Sequence, residues 1–216
     1  MITVLIVDDH RLVRAGLKRI LLEQPDIRVV AEADSGEQGI ELAAAERPDV
    51  ILMDINMHGI GGLEATRRAL RRSPRSRIIG LSMHVEDPFP RRILAAGASG
   101  YISKNSAAEE VVNAIRRVQA GEHYLSSTVA GRLATSLAKG DGSPFESLSE
   151  REMQVMTMLT QGMTTQEISA ELHLSPKTVS TYRYRLFDKL SVSNNVELTR
   201  LASRYGLLED PSGLIG

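Results

Sequence analysis

Residues 51–62 read ILMDINMHGIGG, and this stretch decides the fold. Its first residues are typical of a buried strand, yet the strand ends on a carboxylate, Asp54, and a loop with three glycines follows. Similar short runs, rich in β-branched residues, recur along the chain between stretches with helical spacing of apolar residues. We therefore predict five strands, over residues 2–7, 27–32, 49–54, 77–82 and 99–103.

The alternation of these strands with helices predicts a first domain over residues 1–120. Such strands form a parallel sheet, and their uniformly apolar character favours helices on both faces. After residue 121 the alternation stops, so residues 121–147 are predicted to be a linker that contains one helix, over 128–138. The rest of the chain, 148–216, is predicted to be a small all-α domain with helices over 149–162, 164–174, 175–190 and 195–206.

Composition restricts the class of protein. The chain has 216 residues, enough for two domains, and no cysteine, which excludes disulfides and thiolate metal sites and favours the cytoplasm. Met1 leads directly into ITVLIVDD, which is unlike a secretory leader, and no apolar run approaches the ~18 residues of a membrane span. The net charge of −1 gives no general support for nucleic-acid binding, so that function must depend on a local patch.

Polar side chains follow four of the predicted strands. Because the carboxyl ends of parallel strands share one edge of a sheet, we expect these side chains to lie together. Adjacent carboxylates repel each other unless a cation lies between them, and Mg²⁺ suits carboxylate and phosphate oxygens. A metal, an amine and a hydroxyl around Asp54 are the parts needed for phosphoryl transfer to that carboxylate, which makes Asp54 the predicted nucleophile. The five side chains are Asp8, Asp9, Asp54, Ser82 and Lys104.

The segments IVDDH, PDVILMDINM and GYISK, with the LS that ends the fourth strand, resemble the receiver domain of bacterial two-component response regulators. The resemblance covers roughly residues 1–120. It implies a flavodoxin-like (βα)5 fold in which a sensor histidine kinase or phosphotransfer protein phosphorylates Asp54. It also implies roles for individual residues. Mg²⁺ would be bound by Asp9, Asp54 and the backbone carbonyl of Asn56, with Asp8 acting through water. Ser82 and Lys104 would bind the phosphoryl group, and Tyr101 would be an aromatic switch.

Two histidines near this site raise further hypotheses. The family usually has proline four positions after the acceptor, where this chain has His58. Proline would fix φ in the loop, so histidine either is a tolerated surface substitution or loosens the loop and alters phosphorylation or Mg²⁺ affinity. His84, two residues past Ser82, is a candidate to tune the lifetime of the phosphoryl group.

The segment SPKTVSTYRYRLFDKL, residues 175–190, is the predicted DNA-reading helix. In a helical projection one face is apolar and suits a core, with Val179, Leu186 and Leu190. The opposite face can contact phosphates and base edges. This face carries Lys177, Thr181, Tyr184 and Arg185, with Ser180 at its margin. With Arg183, Lys189 and Asp188 counted, the helix has a net charge of +3, although a solvated amphipathic helix would show the same charge.

The segment from Leu148 to Leu190 resembles the LuxR-type helix-turn-helix, and its combination with a receiver resembles the NarL/FixJ class of regulators. The resemblance implies a transcription factor that binds double-stranded promoter DNA as a homodimer and has RNA polymerase as a further partner, with no membrane contact. It implies that Lys177 and Thr178 contact phosphates. Base contacts are implied for Ser180, Thr181 and Tyr184. The predicted interface also includes Arg185 and Lys189. The last helix is predicted to dimerise through Val196, Leu198, Leu201 and Ala202.

Three rival functions remain open at this stage. An aspartyl-phosphate phosphatase also uses a strand-end aspartate, but such enzymes usually carry a second acid where this chain has Asn56. A protein-interaction module would use the C-terminal helices to bind a partner other than DNA. A DNA-binding regulator that needs no phosphorylation is the third alternative, and the complete acidic cluster argues against it.

Overall fold

The computed structural model describes residues 1–85, 88–139, 143–205 and 207–208, with only the backbone described for 136–139. The chain divides into two compact units, the first built from residues 1–85 and 89–139 and the second from the residues after 139. Each unit has its own buried core, so each is described by itself.

A parallel sheet forms the centre of the first unit. Its strand order is β2-β1-β3-β4-β5-β6, so the direction in which strands are added reverses between β1 and β3. Ligands of open parallel sheets bind at the carboxyl ends of strands near such a reversal. The strands are β1 (Ile2–Val7), β2 (Ile27–Ala33), β3 (Val50–Asp54), β4 (Arg77–Ser82), β5 (Gly100–Ser103) and β6 (Tyr124–Leu125).

Helices cover both faces of this sheet, which explains why its strands are apolar at consecutive positions. Leu5 and Ile51 point to one face and Ile6 and Leu52 to the other, and all four are fully buried. The helices are α1 (Arg11–Leu22), α2 (Gly36–Glu46), α3 (Gly61–Arg72), α4 (Phe89–Ala95), α5 (Ala108–Gln119) and α6 (Ser127–Lys139). The predicted parallel α/β fold is confirmed, including the start of α2 at the N-cap Ser35.

The end of the first unit differs from the boundary predicted at residue 120. Tyr124 and Leu125 form the short strand β6, which pairs with β5 and extends the sheet to six strands. A strand of two residues has too few positions to show periodicity, so sequence pattern does not reveal it. Helix α6 matches the helix predicted over 128–138, but it belongs to the first compact unit. Residues 140–142 of the predicted flexible break lie outside the described residues.

The described residues of the second unit form helices joined by turns and include no strand, as predicted. A 3-10 turn precedes the helices α7 (Glu150–Thr160), α8 (Thr165–Glu171), α9 (Pro176–Leu190) and α10 (Asn195–Arg204). The start of α7 is a capping box between Ser149 and Glu152, and Ser175 caps α9 through the backbone N–H of Thr178. Among the described residues no helix has both the length and the apolar character needed to cross a bilayer.

The predicted dimer surface of α10 is wrong for two of its apolar residues. Leu198 and Ala202 are fully buried in the core of their own unit, so they are not available to a dimer partner. Helical spacing identified an apolar stripe but could not tell whether it packs inside the unit or outside it. Val196 is 60% exposed and remains accessible, while Leu201 is half-buried.

Candidate functional site

The carboxyl ends of β1 and β3 bring three acids together. Asp8 and Asp9 follow β1 directly, Asp54 is the last residue of the adjacent β3, and both Asp8 and Asp54 are fully buried. The chain then turns so closely that a Cβ at Gly62 would overlap the backbone carbonyl of Asp54. This close approach explains why α3 has a glycine at position 62.

Lys104 supplies the positive charge of the cluster. Its Nζ lies 2.8 Å from Asp8 Oδ2 and 2.8 Å from Asp54 Oδ2, and its backbone N–H donates to the Ser82 carbonyl at 2.9 Å. Burial would lower the pKa of Lys104, but its contacts with Asp54 and Asp8 outweigh burial and the pKa is raised. Lys104 is therefore a cation fixed beside the acids.

The Asp54 carboxyl has a raised pKa. Burial raises this pKa from 3.8 to about 6 against the opposing effect of Lys104, and repulsion from Asp8 adds to the rise. Because that value lies below neutral pH, Asp54 is ionised at pH 7 and its oxygens can act as a nucleophile. The destabilised carboxylate also favours any cation that enters the cluster.

The acidic cluster has the composition of a site for a hard divalent cation. Asp8, Asp9, His10 and Asp54 each offer one ligand atom, and these atoms lie within 4.8 Å of one another. Asp8 Oδ2 and Asp54 Oδ2 are buried and pair with the Lys104 ammonium, and buried Asp9 Oδ1 pairs with the His10 imidazole. Three carboxylates in this arrangement offer the oxygen ligands that a hard divalent cation prefers.

Ser82 and Tyr101 lie on the other side of Asp54. The Ser82 hydroxyl accepts from the His84 backbone N–H at 3.0 Å and from Asn56 Nδ2 at 3.4 Å. The Asn56 backbone N–H donates to Asp54 Oδ1 at 3.0 Å. Tyr101 is fully buried, and its hydroxyl donates to the His84 carbonyl. The Ser82 hydroxyl is also hydrogen-bonded to the Tyr101 side chain, so Ser82 links Asn56, His84 and Tyr101.

The two histidines lie in different surroundings, and their effects on phosphorylation and on the phosphoryl lifetime stay predictions. The loop at His58 is anchored, since the His58 backbone N–H donates to Asp9 Oδ2 at 3.3 Å and the Ile60 backbone N–H donates to Glu37 Oε1 at 3.1 Å. The imidazole of His84 is buried and stacks on Phe89, with ring centroids 4.7 Å apart. His84 therefore connects Ser82 and Tyr101 through its backbone and α4 through its ring.

Sequence reasoning missed one residue of the site. His10 follows the acid pair directly, and its Nδ1 lies 2.7 Å from Asp9 Oδ1 and 3.3 Å from Asp8 Oδ1. The adjacency in IVDDH was the available signal, but a histidine at the start of a helix is usually a solvated surface residue. The structure thus brings together all the predicted residues of the acidic site and adds His10 to them.

Most residues of the predicted DNA-binding surface of α9 are exposed to solvent. Val179, Leu186 and Leu190 are buried as expected. Tyr184 is 75% exposed, which is unusual for a large aromatic side chain. The other exposed residues of this surface are Lys177, Ser180, Thr181 and Arg185, and Thr178 is half-buried with its hydroxyl 2.8 Å from Ser175 Oγ.

Lys189 differs from the rest of the predicted interface. Its Nζ lies 2.6 Å from Oε2 of Glu152, whose side chain is only 4% exposed, and it also donates to the Ser147 carbonyl at 3.0 Å. Burial would raise the pKa of Glu152, but hydrogen bonds from Lys189 and Ser149 outweigh burial and the pKa is lowered. Lys189 therefore stabilises the packing of α9 on α7, a role that projection of one helix could not show.

The two units match two protein families. Residues 4–116 match the response regulator receiver domain, and residues 146–202 match the bacterial regulatory proteins of the luxR family. Together with the fold, these matches define the class: the chain belongs to the two-component response regulators that combine a receiver with a LuxR-type DNA-binding domain.

Within this class, the chain is similar over nearly its whole length to individual curated regulators. The chain is 51% identical over 209 residues to the response regulator UvrY of Escherichia coli K12, with 96% of each chain covered. It is 49% identical over 214 residues to the response regulator GacA of Pseudomonas aeruginosa PAO1, covering 98% of this chain and all of GacA. Among solved structures it resembles RcsB of Salmonella enterica serovar Typhimurium bound to the rprA promoter with phosphomimetic BeF3−, at 25% identity and a TM-score of 0.68, covering 94% of this chain and 98% of RcsB. The protein is thus a UvrY- and GacA-like response regulator.

Proposed function

We propose that Asp54 accepts a phosphoryl group from a sensor histidine kinase or phosphotransfer protein, and that this modification controls promoter binding. The observation that carries the proposal is the buried Asp54 carboxylate, whose Oδ2 lies 2.8 Å from the Lys104 ammonium and whose ligand atom lies within 4.8 Å of those of Asp8 and Asp9. A carboxylate buried beside two other acids costs the fold stability, and a lysine beside it supplies the positive charge that phosphoryl transfer needs.

In the transfer step, an Asp54 oxygen attacks phosphorus of a phosphohistidine. A P–O bond forms, the P–N bond breaks, and the leaving imidazole takes up a proton from water. Lys104, whose Nζ is 2.8 Å from Asp54 Oδ2, would stabilise the charge on the phosphoryl oxygens, and Ser82 would donate its O–H to one of them in place of its contact with Tyr101. Asp8, Asp9 and Asp54, with the carbonyl of Asn56, would hold Mg²⁺, which when bound neutralises charge on the carboxylates and the phosphoryl group.

In this proposal, the contacts of Ser82 transmit the effect of phosphorylation from Asp54 to other residues. If Ser82 turns toward a phosphoryl oxygen, its hydrogen bond from the His84 backbone N–H changes, and the His84 carbonyl is also the acceptor of the buried Tyr101 hydroxyl. A phosphoryl group adds about −1.5 to −2 charges at this point, enough to shift an equilibrium between two arrangements of these residues. Tyr101 acts in this proposal as the switch.

The output of the switch is DNA binding by α9. We propose that Lys177, Thr178 and Arg185 contact phosphates and that Ser180, Thr181 and Tyr184 face base edges, in a homodimer on a two-fold site where RNA polymerase is recruited. The exposure of Tyr184 and the structure of RcsB on its promoter support this part. Likeness to UvrY and GacA supports the finer proposal that the target promoters include those of small regulatory RNA genes.

The phosphorylation proposal is tested with the full-length protein, Mg²⁺ and a small phosphodonor such as acetyl phosphate. Intact-mass spectrometry should show the addition of one phosphoryl group to the wild type and none to Asp54→Asn. Asp49→Asn is a matched control, because Asp49 is an aspartate at the opposite end of β3. Its Oδ2 accepts hydrogen bonds from the backbone N–H and the hydroxyl of Thr3. Equal phosphorylation of wild type and Asp54→Asn would refute the assignment.

A further inference from the structure

The loop between β3 and α3, residues 55–60, depends on outside contacts for its path. The Gly62 backbone N–H closes the base of the loop by donating to the Ile55 carbonyl at 3.1 Å. Farther out, Gly59 and Gly61 have positive φ angles of 71° and 74°. Glycine adopts such angles without strain, but it also allows the backbone many other conformations. The outer part of the loop therefore needs contacts with other elements to keep one conformation.

Glu37, in the first turn of α2, makes one of these contacts. Its Oε1 accepts a hydrogen bond from the Ile60 backbone N–H at 3.1 Å. Both of its carboxylate oxygens also lie against Gly59, since a Cβ added to this glycine would be 2.8 Å from each of them. The carboxylate thus holds the loop backbone between the two glycines with positive φ.

The start of α3 has no local group that replaces this contact. Ile60 is the N-cap residue of α3 and makes no side-chain capping bond. In a capping box, a glutamate of the same helix accepts from the backbone N–H of the N-cap residue. Here Glu37 accepts this N–H from a different helix, and a carboxylate near a helix N-terminus is also favoured by the helix dipole.

The start of α2 is packed closely enough to fix Glu37. Gly36 is buried, and a Cβ at this position would lie 3.0 Å from Ile60 Cγ1 and 3.0 Å from Ala65 Cβ. Ser35 caps α2, because its side chain accepts from the Gln38 backbone N–H at 3.4 Å. The backbone that carries Glu37 is therefore held by α3 on one side and by its own cap on the other.

We propose that Glu37 is a positioning residue for phosphorylation, which holds the loop so that Asn56 keeps its place beside Asp54. The Asn56 backbone N–H donates to Asp54 Oδ1 at 3.0 Å, four residues before the N–H that Glu37 accepts. Without the Glu37 contact the loop has more conformations, and fewer molecules have Asp54 in the geometry for attack. The inference rests on the proposed function, because it concerns the rate of phosphoryl transfer to Asp54.

Time courses of phosphorylation by acetyl phosphate with Mg²⁺, followed by intact-mass spectrometry on the full-length protein, test this role. Glu37→Ala should slow the modification about fivefold, the factor that corresponds to the loss of one typical hydrogen bond. Glu37→Gln keeps an acceptor oxygen, so its rate should stay within about twofold of wild type. Glu41→Ala is the matched control and should leave the rate unchanged, because Glu41 is an exposed acid one turn further along α2. Rates are compared well below the thermal midpoint of each variant, so that a loss of stability alone does not change them.

Gly59→Ala tests the same contact from the loop. Its new Cβ would meet the Glu37 carboxylate, so this substitution should slow phosphorylation more in the wild type than in the Glu37→Ala protein. Equal slowing in both proteins would overturn the inference. A wild-type rate in Glu37→Ala, or equal losses in Glu37→Ala and Glu37→Gln, would also overturn it while leaving the proposed function intact. A wild-type protein that acetyl phosphate does not modify at Asp54 would overturn both.

Discussion

Replacement of Asp54 by asparagine should stabilise the metal-free protein at neutral pH. The buried carboxyl has its pKa raised from 3.8 to about 6. This difference means that ionised Asp54 costs the folded state about 3 kcal/mol relative to the unfolded chain. Asparagine keeps an acceptor for the Asn56 backbone N–H, and Lys104 keeps its ion pair with Asp8, so little else is lost. Because the new amide faces Lys104, we expect a net gain of about 2 kcal/mol.

The sign of the pH dependence follows from the same pKa. The folded protein binds a proton at Asp54 below about pH 6, whereas the unfolded chain binds it only below its ordinary value of 3.8. The stability of the wild type should therefore rise relative to that of Asp54→Asn as the pH falls through this interval. The extra stability of Asp54→Asn over the wild type should reach its full value above about pH 7 and should nearly vanish at about pH 4.

Amide hydrogen exchange at Leu52 and Met53 measures this difference in the first unit alone. These residues lie in the buried central strand β3, so their amides exchange through large openings of the sheet. With a chelator present and at equal pH, Asp54→Asn should exchange about thirtyfold more slowly than wild type at neutral pH. Faster exchange in the variant, or a ratio that does not change between about pH 7 and pH 4, would refute the argument from burial.

Three further predictions concern other parts of the chain. Lys189→Met should lower the free energy of unfolding of the second unit by about 2 kcal/mol in urea, because it leaves buried Glu152 unpaired, and Lys189→Arg should lower it less. Gly62→Ala should slow phosphorylation by acetyl phosphate, because the new Cβ displaces the Asp54 carbonyl, whereas Gly131→Ala, where nothing lies within 4 Å, should not. Tyr184→Ala should weaken promoter binding by about 1–3 kcal/mol in fluorescence anisotropy without lowering the thermal midpoint, because this side chain is 75% exposed.

Most of the first unit could be predicted because its signals are local. Strands β1 and β4 begin and end at the predicted residues, since apolar runs bounded by charged or turn residues define a buried parallel strand. The approach of Asp8, Asp54 and Lys104 also followed from position alone, because residues at the carboxyl ends of neighbouring parallel strands share one edge. The roles of these residues in phosphoryl transfer remain predictions.

The features that could not be predicted depend on partners distant in the sequence. Lys189 lies on the basic helix, but its partner Glu152 is in another helix, so helical projection assigned it to the DNA surface. Leu198 and Ala202 form an apolar stripe whose burial depends on how α10 packs. The contact between His58 and Asp9 joins two loops and has no periodic signal at all.

The central claim is that phosphorylation of Asp54 controls DNA binding, and one measurement tests it most directly. Promoter DNA binding is titrated by fluorescence anisotropy with Mg²⁺, with and without acetyl phosphate, for the wild type and Asp54→Asn. Our account predicts that the donor tightens binding of the wild type and leaves the variant unchanged. Equal binding by both proteins, with or without the donor, would contradict the control mechanism and favour a DNA-binding regulator that acts without phosphorylation.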